Sequence, residues 1–129
     1  MFITQISIFV ENKIGRLAEI MEVLAKNHID ISALSVADTS DFGVLRLIVD
    51  QPELARTVLA EHGVITKATQ VIAVQMEDRP GGLSEKLNLL KAEGIAIEYM
   101  YAFLGRTEGL AQMVLRVDRP EEAEKLLTQ

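Results

Sequence analysis

The sequence predicts an α+β protein made of two tandem βαββαβ units, each an antiparallel sheet with both helices on one face. Two observations lead to this prediction. The chain repeats its own pattern at an offset of 66 residues, from Gly15 to Gly81, and each repeat alternates between strand-like and helix-like spacing of its apolar residues. We place the first unit at residues 1–70 and the second at residues 71–129.

The repeat stays in register over most of its length. Residues 6–11 form a strand-like run that ends in an acid, and residues 72–77 have the same form. Further along, residues 49–53 match residues 117–121 at an offset of 68. Because the offset has grown from 66 to 68, the second unit contains an insertion. We place it in the turn at residues 105–109, since hairpin tips tolerate insertions.

Apolar residues at positions i, i+3, i+4 and i+7 mark the first helix of each unit. They are Leu17, Ile20, Met21 and Leu24 in the first unit, and Leu83, Leu87 and Leu90 in the second. Residues 29–37 and 44–49 are β-rich runs on either side of a polar turn at residues 38–41, which is typical of a hairpin.

The second helix of the first unit is expected to begin at Asp50 as N-cap, with Pro52 in its first turn, and to end at Gly63. A short strand at residues 64–67 should follow and lead through residues 68–70 into the second unit. After the last helix of the second unit, the sequence has no counterpart of this strand. We expect that edge to come from a lost segment or from a neighbouring chain.

The composition argues against several classes of function. A net charge of −6, with 19 acidic and 13 basic residues, disfavours nucleic acid, whose binding rests on lysine and arginine near phosphates. Cysteine is absent, and His28 and His62 are the only histidines, so neither disulfides nor a histidine-based metal site is expected. Since no run is long enough to span a membrane and no signal segment is recognisable, we expect a cytoplasmic protein without membrane contact.

Catalysis is not expected either. The sequence has none of the motifs of serine hydrolases, phosphate-binding loops, zinc proteases or dithiol redox enzymes. RNA-recognition domains share the βαββαβ order, but the strand at residues 44–49 has Arg46 and no aromatic residue on which a base could stack. We therefore predict a protein that is not an enzyme and uses no cofactor.

Residues 77–83 have the sequence Glu-Asp-Arg-Pro-Gly-Gly-Leu after a strand, and an amphipathic helix and an Ile-x-Ile strand follow. This loop motif, with its recurrence in the first unit, resembles the ACT domain. Residues 11–17 are a looser copy, in which Lys13 replaces the arginine and Ile14 the proline. The resemblance covers essentially the whole chain as two tandem copies, and the chain is similar to small stand-alone tandem-ACT proteins of bacteria.

The resemblance implies two ferredoxin-like units that regulate by binding an amino acid or a similar small ligand. In ACT domains the ligand typically lies between paired units, near the loop from the first strand to the first helix, and faces the second strand of the paired unit. The ligand-binding residues implied here are those of the two loops, Asn12, Lys13, Ile14, Gly15, Arg16, Leu17, Asp78, Arg79, Pro80, Gly81, Gly82 and Leu83, and of two strand segments, Ser32, Ala33, Leu34, Glu98, Tyr99 and Met100.

The backbone of these loops suits a carboxylate. A loop that opens into a helix presents unpaired N–H groups and the positive end of the helix dipole. Gly15, Gly81 and Gly82 allow a ligand to approach the backbone closely, because they have no Cβ. The alternative is that these glycines only form a tight turn between strand and helix.

The polar side chains of the loops have two interpretations each. Asn12 and Asp78 either accept hydrogen bonds from the ammonium group of a ligand or cap the following helices. Arg16 either pairs with a ligand carboxylate or with Glu19, its neighbour on the helix surface. The sequence alone leaves these alternatives open.

The strand segment of the second unit contains two tyrosines. Tyr99 and Tyr101 are expected to share one face of the strand, and Glu98 and Met100 the other. The tyrosines either form the wall of a ligand pocket or make an interface or core contact.

Two functions follow as hypotheses. In the first, the protein senses an amino acid at the seams between paired ACT units. In the second, it is a regulatory subunit that docks on an amino-acid biosynthetic enzyme and has no ligand of its own. A homodimer is expected in both, because the chain is 49% hydrophobic yet only 5% aromatic, which suggests apolar surface buried against a second copy.

Overall fold

The chain folds as an α+β protein whose elements follow the predicted order. The structure is a computed structural model and describes residues 1–38 and 41–128. Its elements are β1 (Phe2–Glu11), α1 (Arg16–Lys26), β2 (Ile31–Asp38), β3 (Phe42–Val49), α2 (Pro52–Glu61), β4 (Thr66–Glu77), α3 (Gly82–Ala92), β5 (Ile97–Ala102), β6 (Leu110–Val117) and α4 (Pro120–Leu127). None of the described helices is long and apolar enough to cross a membrane.

Residue contacts divide the chain into two compact units. One comprises Thr4–Thr69, and the other combines Met1–Ile3 with Gln70–Gln129. The strand order is β2-β3-β1 in the first and β5-β6-β4 in the second, with antiparallel pairs in both. In each unit the third strand therefore lies between the other two. The predicted pair of ferredoxin-like units is confirmed.

The core of the first unit lies between its strands and its two helices. Alternate residues of β1 and β3 point towards the helices, because side chains of a strand alternate between its faces. The strands contribute Ile6, Ile8, Val10, Leu45, Leu47 and Val49, and the helices Ile20, Leu24, Ala55, Val58 and Leu59. Burial of each large aliphatic side chain contributes about 1.5–3 kcal/mol, so this layer is the main source of stability for the unit.

The second unit has the same layered core. Ile72, Val74 and Met76 of β4 match Ile6, Ile8 and Val10, and they pack with Leu90, Leu115, Val117, Ala123 and Leu127. The smaller cluster includes several half-buried side chains at its margin, among them Leu83 and Leu87 of α3. The predicted helical face of α3 is thus directed at the core.

The edge of β4 is occupied by the start of the chain. The N–H of Ala73 donates to the carbonyl of Met1 at 2.8 Å, and the α-ammonium of Met1 donates to the carbonyl of Ala73 at 3.3 Å. The same ammonium lies 3.5 Å from the carboxylate of Glu124 on α4. We expected a lost segment or a neighbouring chain at this edge; residues 1–3 of the chain itself occupy part of it.

The connection into the second unit differs from the prediction. Residues 64–67 were expected as a separate strand joined to the next by residues 68–70, but β4 runs without interruption from Thr66 to Glu77. The segment contains neither glycine nor proline, so nothing in its backbone ends the strand. Val64 precedes the strand and is buried in the core of the first unit.

The start of α2 also differs from the prediction. Asp50 does not cap the helix; the N-cap is Gln51, and no side chain bonds to the first turn. Instead, Asp50 pairs with Asp30 ahead of β2: its N–H donates to the Asp30 carbonyl at 3.1 Å, and its carboxylate accepts from the Asp30 N–H at 3.0 Å. Asp118 and Ala96 repeat both bonds in the second unit. Backbone pairing thus directs the carboxylate to the strand, away from the helix.

A bulge at the same place in β2 and β5 changes which residues share a face. The register shifts between Ile31 and Ala33, and again between Ile97 and Tyr99. Because of the extra residue, Ile97 and Met100 both pack on the core. The prediction that Glu98 and Met100 share a face is therefore wrong.

Loss of the Asp50 or Asp118 carboxylate should destabilise the fold. Replacement of either residue by alanine leaves the N–H of residue 30 or 96 without its acceptor, so the free energy of unfolding should fall by about 1 kcal/mol. Asparagine retains an acceptor oxygen and should cost less. Urea unfolding measures the difference, and coincident curves for Asp50→Ala and the unaltered protein would contradict the role assigned to this bond.

Candidate functional site

Two equivalent loops join strand to helix, between β1 and α1 and between β4 and α3. Each helix begins at a glycine in the left-handed region, Gly15 with φ 84° and Gly81 with φ 89°. Neither helix has a hydrogen bond from a capping side chain. The alternative in which Asn12 and Asp78 cap the helices is thus excluded, because both lie three residues before the N-cap glycine.

The first turn of α3 has backbone donors without acceptors. Gly82 donates to the carbonyl of Arg79 at 3.0 Å, and Glu85 donates to that of Gly81 at 3.0 Å. Between them, the N–H groups of Leu83 and Ser84 have no acceptor among the described residues. In α1, the N–H groups of Leu17 and Ala18 likewise have no acceptor in the part of the chain that the structure describes. Such groups, together with the helix dipole, favour an anion.

All three guanidinium nitrogens of Arg79 donate hydrogen bonds to residues in or next to its own loop. Its Nε donates to the Glu77 carboxylate at 2.5 Å, its Nη2 to Glu85 at 2.6 Å and its Nη1 to the Pro80 carbonyl at 3.2 Å. The Arg79 guanidinium lowers the pKa of Glu77, and the two carboxylates in turn raise the pKa of Arg79. This arginine connects the end of β4 to the first turn of α3.

The first loop uses two cations in place of one. Lys13 Nζ lies 2.9 Å from the carboxylate of Glu11 and lowers its pKa. Arg16 pairs with Glu19 at 3.1 Å, which supports the second of the two interpretations of this arginine. Among the described contacts, no single side chain of this loop therefore bonds to both β1 and α1.

Gly82 explains why the two loops differ. A Cβ at this position would lie 2.1 Å from the carbonyl oxygen of Glu77. Arg16 is the equivalent residue in the first unit, so the second unit has no room for an arginine there. Its cation is Arg79 instead. Gly82 thus serves a close approach within the chain, as the tight-turn interpretation requires.

The hairpin between the second and third strands of each unit contacts the strand-to-helix loop, which was not predicted from the sequence. Asn12 donates its N–H to the Asp41 carbonyl at 3.1 Å, and Asp78 donates to that of Gly109 at 3.0 Å. Arg106, in the predicted insertion, lies 3.7 Å from the Asp78 carboxylate. This contact could have been predicted, because antiparallel pairing of the first and third strands places the end of one beside the start of the other.

The loop and the strand segment of one unit are far apart. Met100 and Ile72 both pair with Leu115, so segment 98–100 lies level with the early part of β4, five residues before Glu77. At about 3.4 Å per residue, this is roughly 17 Å. Within one unit, the loop and this segment therefore cannot both contact one small ligand. That the facing segment comes from a paired unit stays a prediction.

Two depressions lie at the first loop. One of about 50 Å³ is lined by Val10, Glu11, Asn12, Lys13, Leu17, Val36 and Gly43. The other, of about 350 Å³, is an open depression lined by Glu11, Lys13, Ile14, Arg16 and Glu19, and Ile14 at the tip of the loop is fully exposed. Only the second has the volume of a small-molecule site, roughly 300–1,000 Å³. A larger open groove of about 730 Å³ beside α2 contains none of the predicted residues.

The second strands of the two units present different side chains. In segment 32–34, Ala33 is fully buried and Leu34 packs on the core. In segment 98–100, Glu98 is exposed and lies 3.5 Å from Arg116, which the sequence analysis did not single out. Among the described residues, no cluster of histidine and carboxylate side chains could hold a metal ion.

Gly82 should not tolerate a side chain. The Cβ of an alanine would lie 2.1 Å from the Glu77 carbonyl oxygen, so the backbone must shift, and Gly82→Ala should lower the free energy of unfolding by about 1–3 kcal/mol. Gly105, where a Cβ would meet open space, provides the matched control, and Gly105→Ala should be nearly neutral. Thermal or urea unfolding measures both, and equal stability of the two variants would refute the close approach.

Arg79 should control the titration of Glu77. In Arg79→Met the pKa of Glu77 should rise towards its ordinary value, because the cation that favours its charged form is lost. The pairing stabilises the protein above the ordinary glutamate pKa, and that stabilisation is lost as the pH falls through the lowered pKa. Carboxyl chemical shifts in an NMR titration report the change. Lys13→Met is the control, which should raise the pKa of Glu11 and leave Glu77 unaffected.

The chain is similar to known proteins over nearly its whole length. The family model of the ACT domain pair matches residues 1–129. The crystal structure of protein BT0572 from Bacteroides thetaiotaomicron is 40% identical, covers 99% of this chain and 88% of its own, and has a TM-score of 0.92. A comparison with curated protein sequences gave no significant match.

Two solved structures at lower identity share the fold. The ligand-free regulatory subunit of aspartate kinase from Thermus thermophilus is 16% identical over 98% of this chain and 91% of its own, with a TM-score of 0.69. The corresponding subunit from Thermus flavus is 17% identical over 100% and 94%, with a TM-score of 0.63. From the family match and the 40% identity, it follows that the chain belongs to the ACT domain pair family.

Proposed function

We propose that the protein is a non-catalytic regulator that binds an amino acid at its strand-to-helix loops. The observation that carries the proposal is the uncapped start of α1 and α3, where backbone N–H groups are free at the positive end of a helix dipole. An α-carboxylate satisfies these donors. The second strand of a paired ACT unit completes the site, in a homodimer or larger assembly.

The second loop suits a zwitterion better than the first. Asp78 lies in the loop that precedes α3, its side chain is 39% exposed, and its contact with Arg106 is long at 3.7 Å. Its carboxylate is therefore accessible to an ammonium group. Asn12 has the equivalent position in the first loop and offers no charge. We propose that the loop of the second unit is the principal site.

Regulation of a partner enzyme is the second part of the proposal. Two proteins of the same fold are regulatory subunits of aspartate kinase. A ligand can shift such a partner only through its different affinity for the two states of the complex. We propose that an amino-acid biosynthetic enzyme is the partner of this chain, in the cytoplasm, without membrane or nucleic acid.

A regulatory subunit without a ligand is the second candidate. The first unit exposes large apolar side chains beside its loop, with Ile14 107%, Phe9 79% and Phe42 51% accessible. Exposed apolar groups in one region indicate a protein-binding surface. This candidate predicts a partner that binds equally well with and without amino acids.

Thermal unfolding against each of the twenty amino acids tests the proposal. A ligand at about 100 times its Kd should stabilise the protein by about 2.7 kcal/mol, which raises the midpoint by several degrees. Gly81→Ala should weaken this shift, because a side chain at φ 89° strains the loop.

Gly63→Ala is the matched control for this experiment. Gly63 lies just after α2, with φ 76° and open space around its Cβ position. Alanine there should strain the backbone about as much as alanine at position 81, but Gly63 is remote from both loops in the sequence. Its variant should lose stability and keep the ligand shift. If all twenty amino acids leave the midpoint unchanged, the binding proposal is wrong and the second candidate replaces it.

A further inference from the structure

The two strand segments that face a ligand in the proposed function have opposite chemistry. In the first unit, Ala33 pairs across the sheet with Ile48, and both are buried. In the second unit, Tyr99 pairs with Arg116 at the same place, and both are partly exposed. Where the first unit has an apolar pair, the second unit has a hydroxyl and a guanidinium.

Arg116 is held by one hydrogen bond to the main chain, makes a longer contact with Glu98, and retains free donors. Its Nη1 donates to the main-chain carbonyl of Gln70 at 3.2 Å, and its Nε lies 3.5 Å from the carboxylate of Glu98. No contact of Nη2 is found among the described residues. The side chain is 33% accessible, so a ligand at the strand can reach it.

The contact with Glu98 is weak enough to be replaced. Its distance of 3.5 Å is long for a charged hydrogen bond, and the Glu98 side chain is 51% accessible. Exposed ion pairs of this kind contribute little to stability. A second carboxylate that presents both oxygens to the guanidinium forms a stronger, bidentate interaction.

No other arginine around the proposed site of the second unit is equally suited. Arg79 has Nε, Nη1 and Nη2 all engaged by its own loop. Arg106 is 81% accessible and contacts only Asp78, at 3.7 Å. Arg116 alone combines a fixed position with unused donors among the described residues of these segments.

On the basis of the proposed function, we infer that Arg116 makes segment 98–100 selective for ligands with a carboxylate on the side chain, that is, for dicarboxylic amino acids. The free N–H groups at the start of a helix bind the α-carboxylate, and Arg116 of the paired unit binds the second carboxylate in place of Glu98. The first unit has Ile48 in place of Arg116, and the arginine of the same strand, Arg46, pairs across the sheet with Ser35, outside segment 32–34.

Isothermal titration with aspartate, glutamate, asparagine and glutamine tests this inference. The unaltered protein should bind at least one of the acids more tightly than its amide. Arg116→Met should weaken binding of that acid by about tenfold or more and change binding of the amide far less, because only the acid loses a charged partner. Arg56→Met is the matched control: Arg56 is similarly exposed, pairs with Glu53, and should leave both affinities unchanged.

A second variant guards against loss of folding in Arg116→Met. Glu98→Gln removes the competing carboxylate and keeps the arginine, so binding of the acid should become several-fold tighter. If the unaltered protein binds an amide or an apolar amino acid at least as tightly as the acids, or if Glu98→Gln weakens binding of the acid, the inference about Arg116 is overturned while amino-acid binding stands. If none of the twenty amino acids binds, the proposed function itself fails, and the inference with it.

Discussion

Each unit depends on the burial of one face of three strands beneath two helices. The residues that do this occupy equivalent positions in both units, alternate along the strands and recur at helical spacing along the helices. Since this burial needs only apolar side chains of suitable volume, it places few demands on the loops at the ends of the strands. The two loops are therefore free to differ while the units keep the same fold.

The loops differ most in how charge joins the strand to the helix. In the second unit one arginine spans Glu77 and Glu85, whereas in the first Lys13 and Arg16 each serve a separate acid. For the proposed ligand site, a loop whose two ends are joined by one side chain has less conformational entropy to lose on binding. The first loop, with Ile14 exposed at its tip, suits contact with another protein.

The sequence predicted the fold because its signals are local and occur twice. Spacing of apolar residues, the Pro52 helix start and the repeated glycines all act within a few residues. Two predictions were wrong because they depend on strand pairing. Asp50 pairs with Asp30, twenty residues away, and a bulge in β5 places Glu98 and Met100 on different faces. The loop residues could be named from the sequence. The hairpin tips and Arg116 could not, because their places depend on strand register.

The close approach at Gly82 limits which sequences the second loop can accept. With the Glu77 carbonyl in the space that a side chain would occupy, every single substitution at this position is penalised, whatever its charge. Any return to the arrangement of the first loop would require the backbone to shift before an arginine could be accepted. A point mutation at this position alone therefore cannot convert the second loop into the arrangement of the first.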